Sequence, residues 1–344
     1  MHRLSFGPSF ARLSLALLAL GGLAARPASA QNLFVGANGY IEQFSHSGTD
    51  LGVFYKDPIG NHMGHTSGLI FDAGGNLLII SDSTYGIVKV SPTGAYLANI
   101  GAGASYSSVA ADAFGNIYAA NPNKHEVDKF FVSGAPSEVY LSAADGITTP
   151  SGLAFDKSGN LCVSNAQRDG KTLGAYLNKI TEYAPDKTSL GIFATPRADF
   201  QAQSIAFNNA GNLFVGGFND VGRAGDVQQF SSTGGNLGSF PHFIDGTHFG
   251  LYDPIQFAFD AAGNVLVDDT GGLFAFNSKG NPTSGPTNIA ISASGVAFAP
   301  FAPTPVPEAA TTTSLGLLLL LGLGGLAVSR RRSRKGQGVS ATRL

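Results

Sequence analysis

Of 344 residues one is cysteine and none is tryptophan, and only 13% carry a charged side chain. With Cys162 alone, no disulfide can form within the chain. It lies in the alternating run Leu161 to Ser164, a setting for a small buried hydrophobe rather than a reactive thiol. Acidic residues are missing from both ends. Three of the 21 basic residues lie in 1–30 and six lie beyond Glu308, which leaves 12 against 23 acidic ones in the body. Nucleic-acid binding needs a concentrated basic face, so an acidic body argues against that class of partner.

The two ends are set apart from the body by their composition. Residues 1–30 carry Arg3 and Arg12, the apolar run Leu13 to Ala25, and Pro27 to Ala30. A basic start, an apolar core and an Ala-x-Ala site predict a signal peptide cleaved after Ala30. At the far end, Pro303, Pro305 and Pro307 punctuate a linker over 301–313. Leu315 to Val328 contains only Leu, Gly, Ala and Val, and Arg330, Arg331, Arg332, Arg334 and Lys335 follow. With the uncharged stretch from Ala309, the apolar length reaches the roughly 20 residues that span a bilayer. The basic cluster is expected to stay on the cytoplasmic side.

Val306-Pro307-Glu308, a short apolar helix and an arginine cluster together resemble the PEP-CTERM sorting signal, here over 306–335, with a disordered tail at 336–344. That resemblance implies a bacterial protein, handled by an exosortase-like enzyme in a cell that makes extracellular polysaccharide. It implies anchoring in the inner membrane through the C-terminal helix, then a place at the cell surface or in the matrix.

Between the ends, residues 31–300 are built from a repeat. An apolar run, mostly closing on Ala-Phe, occurs at Gly68 to Phe71, Ser108 to Ala111, Gly152 to Phe155, Ser204 to Phe207, Gln256 to Phe259 and Gly295 to Phe298. In the first five a four-residue turn leads to Gly75-Asn76, Gly115-Asn116, Gly159-Asn160, Gly211-Asn212 and Gly263-Asn264, and then to a second apolar run. Asp or Asn after the Phe favours turn initiation, and the glycine supplies the positive φ of a tight hairpin. The pairs recur at spacings of 40 to 52 residues, the length of one four-stranded blade. Third strands such as Gly86 to Val90 and weaker fourth strands such as Tyr96 to Ile100 complete the unit.

The mature chain opens on a second strand, Asn32 to Val35, with no first strand before it. Gly295 to Phe298 is a first strand with no second strand after it. The two fragments add up to one blade, so the expected fold is all-β: a six-bladed β-propeller closed by a composite N/C-terminal blade. The strand pair seen in full at Leu153 to Val163 resembles those of NHL-repeat and gluconolactonase-like propellers.

Residues close after second strands should surround the channel mouth: Asn38, Asp82, Asn121, Asn165, Asp220 and Asp268. Such a ring suits a hard cation such as Ca²⁺, the only cofactor expected, and the same residue types are also ordinary turn formers. The gluconolactonase-like resemblance implies a divalent metal held by Glu, Asn and Asp. Asp82 matches one ligand; Thr66-Ser67-Gly68 stands where the Asn would be, and Glu42 falls in a third strand. His62 and His65, with His242 and His248 in an equivalent loop, are weaker metal candidates, because zinc sites need three or four convergent ligands. No nucleophile has a His partner at a motif spacing, so no catalytic residue is assigned. The expected role is a surface- or matrix-associated binding or structural module, with polysaccharide or a surface protein as partner. The alternative is a metal-dependent hydrolase or lyase.

Overall fold

The computed structural model describes residues 31–299 apart from 38, 46, 59–62, 64–65, 82–84, 167–177, 220–224, 241–250, 252–253, 270–271 and 284–294. The signal segment ending at Ala30 and the sorting segment with Val306, Pro307, Glu308, Arg330, Arg331 and Arg332 lie outside the described residues. Among those described, no helix is long and apolar enough to cross a membrane.

Strands β1 (Leu33–Ala37), β2 (Tyr40–Phe44) and β3 (Asp50–Lys56) belong to the blade that closes the ring. Blade one follows as β4 (Thr66–Phe71), β5 (Leu77–Ser81), β6 (Ile87–Val90) and β7 (Tyr96–Ile100). Blade two is β8 (Ser108–Ala111), β9 (Ile117–Asn121), β10 (Glu126–Phe130) and β11 (Glu138–Leu141), and then a 3-10 turn at Ala143–Asp145. Blade three is β12 (Pro150–Phe155), β13 (Leu161–Asn165), β14 (Lys179–Tyr183) and β15 (Ser189–Ala194). Blade four is β16 (Phe200–Phe207), β17 (Leu213–Asn219), β18 (Gly225–Phe230) and β19 (Asn236–Ser239). Blade five has β20 (Pro254–Phe259), β21 (Val265–Asp269) and β22 (Gly272–Phe276), and β23 (Val296–Phe298) returns to the start.

The expected composite blade is present: its strand order is β23-β1-β2-β3, with Val35 opposite Val296 and Leu33 opposite Phe298. The backbone seals the seam on both sides, Gly36 N donating to Gly295 O at 2.7 Å and Ala299 N to Asn32 O at 2.9 Å. One blade is described only in part. Blade five has three strands among the described residues. A fourth is only begun there, by the Phe276–Pro282 bridge and Thr283 N donating to Ala275 O.

Two recurrent turns explain why the chain reverses where it does. Between first and second strands, Asp72 Oδ1 accepts from Gly74 N and Asn76 N, and Asn76 Nδ2 returns a bond to the same carboxylate. Asp112, Asp156, Asn208 and Asp260 hold the same loop. The glycine before each Asn has φ between 74° and 87°, which a side chain would strain. Between third and fourth strands serine does this work: Ser91 Oγ accepts from Thr93 N and Ala95 N, and Ser231 repeats it.

Packing between blades is apolar and local. Leu69, Leu77 and Ile79 meet Phe34 and Ile41, and Phe214 stacks edge-on against Phe240 and Phe259. The outermost strands are different. β3, β15 and β19 share Leu-Gly-x-Phe, with the leucine exposed and the glycine at φ 94° to 100° in a register shift.

The inner strands face the channel with one edge unpaired, so their backbone groups need other partners. Gln256 on β20 supplies several. Its Oε1 accepts from Leu69 N (3.0 Å) and Val296 N (2.9 Å), and its Nε2 donates to Leu69 O. One side chain thus joins blades five, six and one where the ring closes. Gln256→Leu strips three backbone groups of their partner and is expected to cost about 1–3 kcal/mol in denaturant unfolding. An unchanged midpoint would show that water replaces it.

Candidate functional site

The antiparallel register places the end of each second strand opposite the start of its first strand. Thr66 pairs with Ser81, Pro150 with Asn165 and Pro254 with Asp269. One residue after each of these starts, and after the Ala202–Gly217 pair in blade four, the register slips, so that one residue stands unpaired: Ser67 in β4, Ser151 in β12, Gln203 in β16 and position 255 in β20. Ser107, just before β8, occupies the same place, since Ser108 pairs with Ala120 as Gly68 pairs with Ile80. A bulge of this kind re-aims a side chain. Here Ser67, Ser107, Ser151 and Gln203 line a cavity of about 250 Å³ on the channel.

Two of these hydroxyls reach the next blade. Ser107 Oγ donates to Pro150 O at 2.9 Å, and Ser151 Oγ to Ala202 O at 2.8 Å. In blade four the bulge holds Gln203, and the adjacent Ser204 Oγ donates to Pro254 O at 3.1 Å. Thr66 closes the series from the other side of the seam, donating to Ala37 O at 3.2 Å. Its hydroxyl is thus spent on blade six. Ser67 and Gln203, by contrast, have no side-chain partner among the described residues. A second cavity of about 290 Å³ lies beside the first, and Ile70, Phe71, Gln256 and Phe257 line both.

The expected Asp/Asn ring divides between residues inside and outside the described part of the chain. Asn38, Asp82 and Asp220 lie outside the described residues, as do His62, His65, His242 and His248. Asn121 and Asn165 are the last residues of their strands rather than loop residues, and both are buried. Asn121 Oδ1 accepts from Lys124 N in the loop that follows it, and Asn165 Oδ1 from Thr148 N at 3.1 Å in the segment that leads into β12. Glu42 lies in β2 between Val35 and Val53, its carboxyl pushed up by burial and by the Asp50 charge. Burial, followed by the Glu182 and Asp156 charges, pushes the Cys162 thiol up, which keeps it in the unreactive form. Among the described residues no three His, Cys, Asp or Glu side chains cluster as a metal site.

Asp268 is a correction of register. The residue level with Asn121 and Asn165 is Asp269; Asp268 is one earlier, opposite Gln256. That earlier position points at the next blade. In blade four it is Gly216, where a Cβ would sit 2.6 Å from Pro254 O, and in blade six Gly36, where it would sit 2.6 Å from Thr66. Asp268 therefore faces blade six, two residues along from Leu266, which packs on Val35 and Val296. It is 0% exposed, and neither carboxylate oxygen has a hydrogen-bond partner among the described residues.

Burial, with the charge of Asp269 second, pushes the Asp268 carboxyl up to about 8. The folded chain thus keeps a proton that the unfolded chain releases near pH 4. Stability from this group is full below that value and is lost as pH rises through 8. Asp268→Asn is expected to flatten the fall in melting temperature between about pH 5 and 9 relative to the parent. Parallel pH profiles would mean that Asp268 is ionised in the fold.

No protein-family model matches the chain, and none of the curated proteins does. Solved structures do. A chain of a nidogen/laminin complex is 18% identical with a TM-score of 0.61, over 78% of this chain and 98% of that one. A putative gluconolactonase is 13% identical with a TM-score of 0.51, over 75% and 92%. A catalytically inactive virginiamycin B lyase from Staphylococcus aureus, solved with quinupristin, is 12% identical with a TM-score of 0.51, over 76% and 86%. At these identities the likeness is one of fold. The chain shares the six-bladed architecture of the NHL and gluconolactonase-like propellers.

Proposed function

We propose that this chain is an exported, surface- or matrix-associated binding propeller, sorted by an exosortase-like enzyme and held meanwhile in the inner membrane by its C-terminal apolar segment. The observation that carries a binding role is the chemistry of the channel. Its cavity is lined by hydroxyls, amides, and aliphatic and aromatic groups, with no ionisable side chain among the described residues that line it. Several of those hydroxyls hold neighbouring blades together, so the channel wall is rigid and its remaining polar groups are preorganised. General acid–base or metal-assisted chemistry needs titratable groups or anionic ligands at the reacting centre. Export and anchoring rest on the sequence of the two ends, with the sorting triplet Val306-Pro307-Glu308 and the basic cluster from Arg330.

Cell fractionation tests the sorting. The full chain is expected with membranes or the cell surface, and a chain ending at residue 305 is expected in the medium. Membrane retention of the truncated chain would defeat the anchoring role. Thermal melting of the full chain with Ca²⁺, Mn²⁺ and Zn²⁺ tests the role of the ring residues. No shift is expected, whereas a shift abolished by Asp82→Ala would assign a metal centre and favour a hydrolase or lyase.

A further inference from the structure

Ser67 and Gln203 differ from their counterparts in a way that bears on what the channel holds. They occupy the same bulge position in blades one and four, which stand three blades apart in a ring of six and so face each other across the axis. Their counterparts Ser107 and Ser151 are committed to carbonyls of the next blade. The hydroxyl of Ser67 and the amide of Gln203 have no such commitment among the described residues, and both line the cavity of about 250 Å³. Ser108 on the same wall accepts from Leu153 N, which leaves its own proton free to be donated. Apolar surface lies between these groups, from Ile70, Val109, Leu153 and Ile205.

We propose that this cavity is a binding site for a neutral polyhydroxylated molecule of about monosaccharide size, gripped from opposite sides by Ser67 and Gln203. Size sets the first limit. The space is equivalent to roughly eight waters at about 30 Å³ each, near the lower end of small-molecule pockets at about 300 Å³. Charge sets the second. An anion or cation entering here would give up hydration with no counter-charge on the wall. A wholly apolar molecule would strip water from Ser67 and Gln203 and return nothing. A carbon ring carrying neutral hydroxyls replaces those waters at its rim and presents C–H groups to Ile70 and Ile205. Gln203 offers both a donor and an acceptor, and Ser67 does the same, so a hydroxyl can be met in either sense.

This site deepens the binding role proposed above and rests on it, yet it is separable from the sorting of the chain. The test uses the full chain in detergent, with calorimetry and thermal melting against glucose, galactose, myo-inositol and glycerol. Gluconate and glucosamine serve as charged counterparts. At least one neutral polyol is expected to bind at millimolar concentration and raise the melting temperature, while its charged counterparts do not. Gln203→Leu and Ser67→Ala are each expected to weaken binding roughly ten-fold, the loss of about one hydrogen bond. Because neither side chain has a partner among the described residues, both variants should melt like the parent when no sugar is present. Binding undiminished in both variants, equal binding of gluconate, or no response to any neutral probe by a folded protein would each overturn the site. Fractionation of Gln203→Leu should match the parent in all these cases, so failure here leaves the sorting proposal standing on its own evidence.

Discussion

Everything in this molecule depends on a three-residue strand. β23 is only Val296–Phe298, yet it is the inner strand of blade six and the piece that makes a ring out of a row. Three backbone pairs hold so short a segment weakly, and the fold surrounds it with reinforcements. The backbone bonds at Gly36 and Ala299 extend the pairing at both ends, and Gln31 Nε2 adds a bond to Ala299 O at 2.7 Å. Gln256 reaches from blade five to the amide of Val296 and on to Leu69. Apolar contacts of Val296 with Leu33, Val35 and Leu266 complete the closure. Loop-closure entropy is the reason for so many contacts: the chain between the two halves of this blade is the whole ring, and the ends must find each other at that separation.

The same constraint explains the polar character of the channel. An inner strand has one hydrogen-bonding edge with no neighbouring strand, and a narrow channel admits few waters to satisfy it. Serine at the bulge, or one residue on, reaches the first carbonyls of the next blade and ties the inner edges together around the axis. Structure and recognition are then built from one residue type. Where the hydroxyl is used by the neighbouring blade it is scaffold, and where it is not it is left to meet what the cavity holds. Asp268 is the exception, a buried carboxyl near the seam with no hydrogen-bond partner among the described residues.

Much of the architecture was legible in the sequence because the turns are chemical. Asp-x-x-Gly-Asn specifies a hairpin through side-chain bonds to its own backbone, so each repeat announced one strand pair. The orphan strands at residues 32–35 and 295–298 likewise foretold the composite blade. The site was harder to read. Sequence alone does not mark the last residue of a second strand, and one residue exchanges the channel end for the face of a neighbouring blade, which separates Asp268 from Asp269. A signal for the channel was nevertheless present. Ser67, Ser107, Ser151, Gln203 and Ser294 all stand one residue before the first-strand runs, but Ser before Gly or Ser reads as ordinary turn chemistry.

The glycines of the outer strands have a further consequence. An exposed strand edge is a template on which another copy could lengthen the sheet, and six blades offer several of them. At Gly52, Gly191 and Gly238 the backbone takes a left-handed kink that breaks the run of straight donors and acceptors. A kinked edge of this kind is a poorer template for another copy's strand than a straight one.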